Sequence, residues 1–266
     1  MERLTYDEVR YLYKSMIATN FNFNMFIISY VKKFFNLSKT ETRSIIMNGI
    51  NRRQRMGFGA LFSYKLLYKS YYKHNDVIIP WNNEDFKWHI ENELNKISSP
   101  NTNAPHKVEE REALFNIAQD FNDMTIRYGT HARNPQFPFL TVEVDGVSMV
   151  RGGKPDSVVE IKCLKIYKSS FQKFFEYSKN RKNSGVLLIE DGTLKIDENS
   201  KNYFQVQMQL AVLNLNFGYL VFYSNQTCYM TFEILRNDNY INVNLCKIHD
   251  LYVKHGVPFL RNKYKL

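Results

Sequence analysis

The chain has 266 residues, of which 44% are hydrophobic and 23% charged, and this composition excludes an intrinsically disordered protein. No apolar run approaches the roughly 18 residues of a membrane span, and the polar, acidic first residues do not resemble a signal peptide. The three cysteines are far apart and form no CxxC pair. This argues against a disulfide scaffold and against a zinc or iron–sulfur site, and it predicts a reducing, intracellular compartment.

The formal net charge of +10 has two explanations. A basic chain in which 15% of the residues are aromatic suits a polyanionic partner such as a nucleic acid. The chain is also rich in Lys, Asn, Tyr, Phe and Ile, which an AT-rich genome encodes by default. Charge alone does not decide between the two.

The N-terminal third predicts helices. Capping-box spacing at residues 5–8 and 38–41 precedes apolar runs with helical periodicity, and a third helix is expected to begin near Glu84. A basic stretch at residues 51–55 lies between the second and the third helix. Residues 98–105 are rich in Ser, Asn and Pro and predict a loop. We divide the chain there into a helical N-terminal region, 1–100, and an α/β core, 101–266, within one continuous domain.

After this loop the pattern changes from helical to alternating. A helix is expected over residues 108–121, and β-rich runs follow at 139–144, 147–150 and 157–163. Two turn signals, Asp145-Gly146 and residues 152–156, separate these runs and predict hairpins. The remaining segments predict a helix at 171–177, a hairpin over 186–196, a helix at 203–215, strands at 219–223 and 228–234, and a closing helix at 240–254. The order predicts an α/β fold with a small mixed central sheet flanked by helices and a helical N-terminal elaboration.

One predicted strand carries a chemically suggestive pair. Glu160 and Lys162 are two residues apart and therefore project from one face, whereas Val159 and Ile161 project from the other face toward a helix layer. A carboxylate beside an ammonium at the end of an apolar strand suits a hard cation and an attacking water, which the lysine steers or deprotonates. The same pattern at a strand edge is more often a surface ion pair.

A metal site needs a second carboxylate, and two aspartates compete for that role. Asp145 stands 15 positions before Glu160, a separation that lets two adjacent strands bring the carboxylates together. Asp156 stands only four positions before Glu160, on or just before the same strand, and cannot readily face it. We therefore prefer Asp145 and interpret Asp156 as a turn residue.

A third carboxylate is available on the helix after the loop. Of Glu109, Glu110 and Glu112, we favour Glu110, because it lies three positions before Ala113 and beside the apolar face of the helix. A solvated acidic helix start, which the helix dipole favours, explains these residues equally well.

The helix at 203–215 carries three glutamines in five positions, at 205, 207 and 209. Gln205 and Gln209 share one face. A buried glutamine has both a donor and an acceptor, so it can hold a metal-bound water and a lysine together. A solvated polar face is the alternative.

These segments together resemble a nuclease family. Asp145-Gly146, Glu160-Ile161-Lys162-Cys163 and the run Tyr203-Phe204-Gln205-Val206-Gln207-Met208-Gln209-Leu210 are similar to the motifs of the lambda-exonuclease/YqaJ-type viral recombinases. These enzymes belong to the PD-(D/E)XK nuclease superfamily and include the baculovirus alkaline nucleases. The similarity runs in order from about residue 42 to about residue 224. It implies a restriction-endonuclease-like core.

The resemblance also implies roles for individual residues. Asp145 and Glu160 would bind Mg²⁺, with the carbonyl of Ile161 as a further ligand, and Lys162 would activate water. Glu110 would support a second ion, and Gln205 would orient the site. The family contacts the terminal 5′-phosphate through an arginine that corresponds to Arg55. The family usually has a tryptophan four positions before that arginine, but here the residue is Asn51. Arg52 and Arg53 are therefore alternative contacts to the phosphate. We also expect Gln209 to contact DNA.

The implied function is that of a Mg²⁺-dependent deoxyribonuclease, with Mn²⁺ as a substitute ion, that degrades double-stranded DNA from its ends in the 5′→3′ direction. It would serve viral-type DNA recombination, replication or repair, in the host nucleus or cytoplasm if the protein is viral. The implied partners are double-stranded DNA, a single-strand-annealing or single-strand-binding protein and further copies of the chain. An endonuclease on the same core and a catalytically degenerate DNA-binding or structural protein remain as alternatives.

Overall fold

A computed structural model describes residues 57–74, 77–95, 105–118, 125–128, 131–134, 136–150, 154–164, 185–188, 193–225 and 228–264. Several predictions lie outside these residues: the helices after residues 5–8 and 38–41, the helix at 171–177, and the basic stretch that contains Arg52, Arg53 and Arg55. None of the described helices is long and apolar enough to cross a membrane.

The largest sheet has five strands in the order β12-β11-β8-β7-β4. Strands β8 and β11 run parallel, while the other neighbours are antiparallel. The strands are β4 (Thr125–Tyr128), β7 (Gly146–Val150), β8 (Lys154–Cys163), β11 (Phe217–Asn225) and β12 (Cys228–Leu235). The predicted hairpin between β7 and β8 is confirmed, and the α/β class with a small mixed sheet is as expected.

A second sheet corrects one sequence prediction. Its order is β1-β6-β5, formed by β1 (Phe58–Gly59), β5 (His131–Arg133) and β6 (Leu140–Glu143). The prediction of a hairpin at Asp145-Gly146 is wrong, because β6 pairs with β1 and β5, whereas β7 pairs with β4 and β8. Asp145 therefore lies in a link between two sheets. Strand β1 also joins the segment before residue 100 to the core, although the division at that residue stays a prediction.

Two antiparallel strand pairs complete the β structure. Strands β9 (Val186–Leu188) and β10 (Leu194–Ile196) form the predicted hairpin. Strands β2 (Tyr71–His74) and β3 (Val77–Pro80) form a pair that sequence periodicity did not indicate.

The helices are α1 (Ala60–Tyr68), α2 (Asn83–Asn95), α3 (Pro105–Ala118), α4 (Lys201–Leu213), α5 (Asp238–Leu251) and α6 (Val257–Tyr264). A π-helical turn, Tyr252–Gly256, connects α5 to α6 and extends the predicted closing helix. Helix α1 was not predicted. Its buried residues Ala60, Ser63 and Leu66 recur every three positions on one side of the helix. Tyr64 and Tyr68 pack edge-on against Phe204 of α4.

Helix α4 lies at the centre of the core. Ser200 begins it, because the Ser200 side chain accepts a hydrogen bond from the Tyr203 N–H at 3.2 Å. Asn214 ends it in the left-handed conformation with φ 54°. Every residue from 202 to 213 is buried, since β8 and β11 cover one side and β6, α1 and α5 cover others. Such a helix buries its polar residues together with its apolar ones, so they need internal partners.

The opposite face of the large sheet packs against α3. Val159 and Ile161 of β8 form an apolar cluster with Ala113, Leu114 and Ile117 of that helix. This confirms the expected alternation along β8, in which Glu160 and Lys162 project away from α3 and toward α4.

Candidate active site

The Asp145 carboxylate lies against the edge of β8. Strand β7 begins at Gly146, which is opposite Val159, so Ile161 extends past the end of its neighbour. Asp145 Oδ2 accepts the Ile161 backbone N–H at 2.9 Å. The link between the two sheets thus places this buried carboxylate beside Glu160 without a hairpin.

Glu160 and Lys162 meet on the α4 side of β8. The Lys162 Nζ donates to Glu160 Oε1 at 2.5 Å and to Gln205 Oε1 at 3.1 Å. Glu160 is only 2% exposed, which excludes the surface ion pair that this motif commonly forms. Gln205 comes from the middle of α4, so three segments distant in sequence supply Asp145, the Glu160–Lys162 pair and Gln205.

Gln209 occupies a different position from the one expected. Its side chain is fully buried, and its Nε2 donates to Glu160 Oε2 and to the Glu143 carbonyl oxygen, both at 2.6 Å. A contact with DNA is therefore out of its reach in this structure. The spacing had placed Gln209 and Gln205 on one face, but spacing alone did not show that this face is covered.

Glu110 approaches from the other side of the large sheet. It is partly buried on α3, and its charge contributes to the electrostatic field at Lys162. The alternatives Glu109 and Glu112 lie on the same helix, where Glu109 is partly buried and Glu112 is exposed. The role of Glu110 as a ligand of a second ion stays a prediction.

Burial and like charge shape the titration of this cluster. Burial first, and then the adjacent Asp145 carboxylate, raise the pKa of Glu160 to about 7 against the opposing effect of Lys162. Burial alone would lower the pKa of Lys162, but Glu160 and Asp145 outweigh it and raise that pKa. Lys162 therefore remains an ammonium, and the two carboxylates repel each other in a place from which water is largely excluded.

A divalent cation suits this donor set. Mg²⁺ is commonly held by one or two carboxylates together with waters and substrate phosphates, so it does not need a complete cage of protein ligands. Asp145 and Glu160 supply two buried carboxylates whose repulsion a cation would relieve. Within the ranges that the structure covers, no group of three or more His, Cys, Asp or Glu residues is arranged to hold an ion together. The fit therefore rests on the pair.

The position of Asp156 corrects the turn assignment. Asp156 lies inside β8, at the point where the register with β7 shifts between Ser148 and Met149. Ser148 is opposite Ser157 and Met149 is opposite Pro155, so Asp156 is the extra residue of a β-bulge. The strand starts earlier than its apolar run, because pairing extends it through Lys154.

The site opens next to a cleft of about 510 Å³ that sequence reasoning did not foresee. Gln205 lines it together with residues of α2 and β6, among them Glu93 and Glu143. Glu93 is 2% exposed, and its Oε1 accepts the Gly59 backbone N–H at 3.3 Å. The available signal was its place between Ile90 and Leu94, since an acidic residue within an apolar stripe usually has a buried partner.

Comparison with known proteins identifies nucleases with a similar overall structure. No protein-family model matches this chain, and no curated protein matches it. Similar solved structures include the crystal structure of an alkaline exonuclease (LHK-Exo) from Laribacter hongkongensis, at 13% identity and a TM-score of 0.49 over 79% of this chain and 94% of that chain. The structure of LHK-Exo in complex with dAMP is similar at 13% identity and a TM-score of 0.48, over 79% of this chain and 93% of that chain. Because both TM-scores lie below 0.5, the assignment of a function depends on the geometry of the site itself.

Proposed function

We propose that this chain is a Mg²⁺-dependent deoxyribonuclease with a PD-(D/E)XK core that degrades double-stranded DNA from its ends. The observation that carries the proposal is that the buried Asp145, Glu160 and Gln205 meet the half-buried Lys162 in one cluster. A purely structural ion pair would not need a second carboxylate beside the first, because that carboxylate opposes burial of the pair.

The residues present suggest a division of labour. Asp145, Glu160 and the carbonyl of Ile161 would hold Mg²⁺, and Mn²⁺ would suit the same oxygen ligands. When bound, the ion would neutralise charge on the scissile phosphate and lower the pKa of the attacking water. Glu110 would support a second ion from the α3 side.

Lys162 would act as a hydrogen-bond donor. Its raised pKa keeps it protonated, so it can orient the water or stabilise a phosphate oxygen but cannot accept a proton in that state. The Gln205 Oε1 accepts one of its N–H groups and thereby fixes where the ammonium points. Gln205 therefore supports catalysis by orienting Lys162.

We further propose a direction of degradation and a biological setting. The motif resemblance supports 5′→3′ degradation from ends contacted by Arg52, Arg53 or Arg55. The net charge of +10 supports sequence-independent contact with the DNA backbone. We propose that the single strands produced pass to an annealing or single-strand-binding protein in viral-type recombination, replication or repair, in the host nucleus or cytoplasm. We also propose that copies of the chain associate with one another around DNA.

A degradation assay tests the chemistry. The substrates are one plasmid as a closed circle and the same plasmid linearised, with label at either the 5′ or the 3′ ends and with Mg²⁺, Mn²⁺ or EDTA. We expect the linear form to lose its 5′ label first, only with a metal ion, and the circle to survive. Cleavage of the circle would favour an endonuclease, and DNA binding without any degradation would favour a degenerate nuclease fold.

A matched pair of variants tests the site. Glu160→Gln keeps the size of the buried side chain but removes its charge, so we expect loss of cleavage with DNA binding within a few-fold of wild type. Glu233→Gln makes the same change on the exposed surface of β12 and should cleave normally. Cleavage by Glu160→Gln at the wild-type rate would reject the assignment of the site.

A further inference from the structure

Two of the three glutamines of α4 are fully buried but bind different parts of the protein. Gln207 donates its Nε2 to the Leu235 carbonyl at 2.7 Å and accepts the Asn237 backbone N–H at 2.9 Å, which joins α4 to the link between β12 and α5. Gln209 instead binds Glu160 and the backbone at Glu143. Similar burial on one helix thus serves two separate contacts.

Both acceptors of Gln209 belong to segments that present the candidate metal ligands. Glu143 is the last residue of β6 and stands two positions before Asp145, while Glu160 is a candidate ligand itself. Strands β6 and β8 belong to different sheets, so backbone pairing does not set their relative position. The Gln209 amide is a direct link between them.

The same contact orients the Glu160 carboxylate. Its Oε1 faces Lys162 and its Oε2 faces Gln209, so each oxygen has a defined neighbour. The Gln209 Oε1, by contrast, is buried without a hydrogen-bond partner among the described residues. A buried oxygen without a hydrogen-bond partner lowers the stability of the fold, so stability alone does not explain a glutamine at this position. The two hydrogen bonds of its Nε2, to Glu160 and to the backbone at Glu143, do explain it.

We propose that Gln209 is a positioning residue that holds the Glu160 carboxylate and the Asp145-bearing link at the separation that a divalent cation requires. This inference rests on the proposed function. Groups that orient metal ligands commonly contribute about 10- to 100-fold to metal affinity. Gln209 reaches the cation only through Glu160 and the backbone at Glu143.

The test measures Mn²⁺ binding to the full chain by calorimetry in the absence of DNA. Gln209→Met keeps the approximate length of the side chain but removes its hydrogen bonds, and we expect it to raise the Kd for Mn²⁺ by at least about tenfold. Gln207→Met removes a similar set of hydrogen bonds away from the site. Because Gln207 orients no candidate metal ligand, the Kd of this variant for Mn²⁺ should stay within about twofold of the wild-type value. Urea unfolding of both variants shows whether their losses of stability are comparable.

Kinetics provides a second readout that a merely structural role would not change. Gln209→Met should lower kcat at limiting Mn²⁺, recover part of it with excess Mn²⁺, and leave KM for DNA ends near the wild-type value. If Gln209→Met does not fold, Gln209→Asn keeps a buried amide that is too short to span both acceptors, and the same results are expected of it.

The outcomes separate this inference from the proposed function. Wild-type Mn²⁺ affinity in the Gln209 variant, or an equal loss in the Gln207 and Gln209 variants, overturns the positioning role while the nuclease assignment stands. A wild-type chain that neither binds Mn²⁺ nor degrades DNA overturns both.

Discussion

The stability of the metal-free protein should depend on pH through Glu160. In the folded chain burial, and then the adjacent Asp145 carboxylate, raise the pKa of this carboxyl to about 7, whereas the ordinary value for a glutamate is 4.5. The difference of about 2.5 (7 minus 4.5) corresponds to about 3 kcal/mol, at roughly 1.4 kcal/mol for each pKa unit.

The direction in which the free energy of unfolding changes with pH follows from the protons bound by the folded and the unfolded chain. Between pH 4.5 and 7 the folded protein holds a proton on Glu160 that the unfolded chain has released, so the free energy of unfolding falls as the pH rises. This contribution is complete below pH 4.5 and is lost as the pH passes through 7. In Glu160→Gln it is absent at every pH.

Urea unfolding in EDTA at pH 5, 6, 7 and 8 measures the effect. The free energy of unfolding of wild type should decline relative to Glu160→Gln by about 3 kcal/mol across this range. His89 and His255, whose pKa values burial lowers, titrate in both proteins and cancel in the difference. Glu233→Gln serves as the control and should follow wild type. Parallel pH profiles for wild type and Glu160→Gln would refute the argument that burial and Asp145 dominate the titration of Glu160.

Three further predictions concern Lys162, Gly57 and Cys163. Lys162→Met should abolish single-turnover cleavage while DNA affinity changes only a few-fold; fast cleavage would exclude Lys162 from the reaction. Gly57→Ala should lower the free energy of unfolding, measured in urea, by about 1–3 kcal/mol. The added Cβ would lie 2.8 Å from the Pro138 carbonyl oxygen and from the Phe139 carbonyl carbon. An unchanged free energy of unfolding would show that this backbone can move. Burial first, then Glu109 and Glu110, raise the pKa of Cys163 to about 12. Alkylation at pH 7.5 followed by peptide mapping should therefore find Cys163 labelled far more slowly than the exposed Cys246. Equal labelling rates would contradict this prediction.

The sequence determined those features that depend on local spacing. Alternation along β8 placed Glu160 and Lys162 on one face and Val159 and Ile161 on the other, because successive side chains of a strand point in opposite directions. The cap at Ser200 and the left-handed Asn214 bound helix α4 within two residues of the predicted ends. Local stereochemistry settles such features without knowledge of the rest of the chain.

Only the tertiary structure decided how these segments meet. The dipeptide Asp145-Gly146 is a turn signal in the sequence and predicted a hairpin. In the structure β6 pairs with β1 and β5, so Asp145-Gly146 is a link between two sheets. In the sequence Gln209 is a polar position on a helix, which allows contact with DNA. In the structure β8 and β6 cover it, and its amide donates hydrogen bonds to Glu160 and to the Glu143 carbonyl oxygen instead. Periodicity fixes the direction in which a side chain points from its own element. What it meets there depends on long-range packing, which no local pattern encodes.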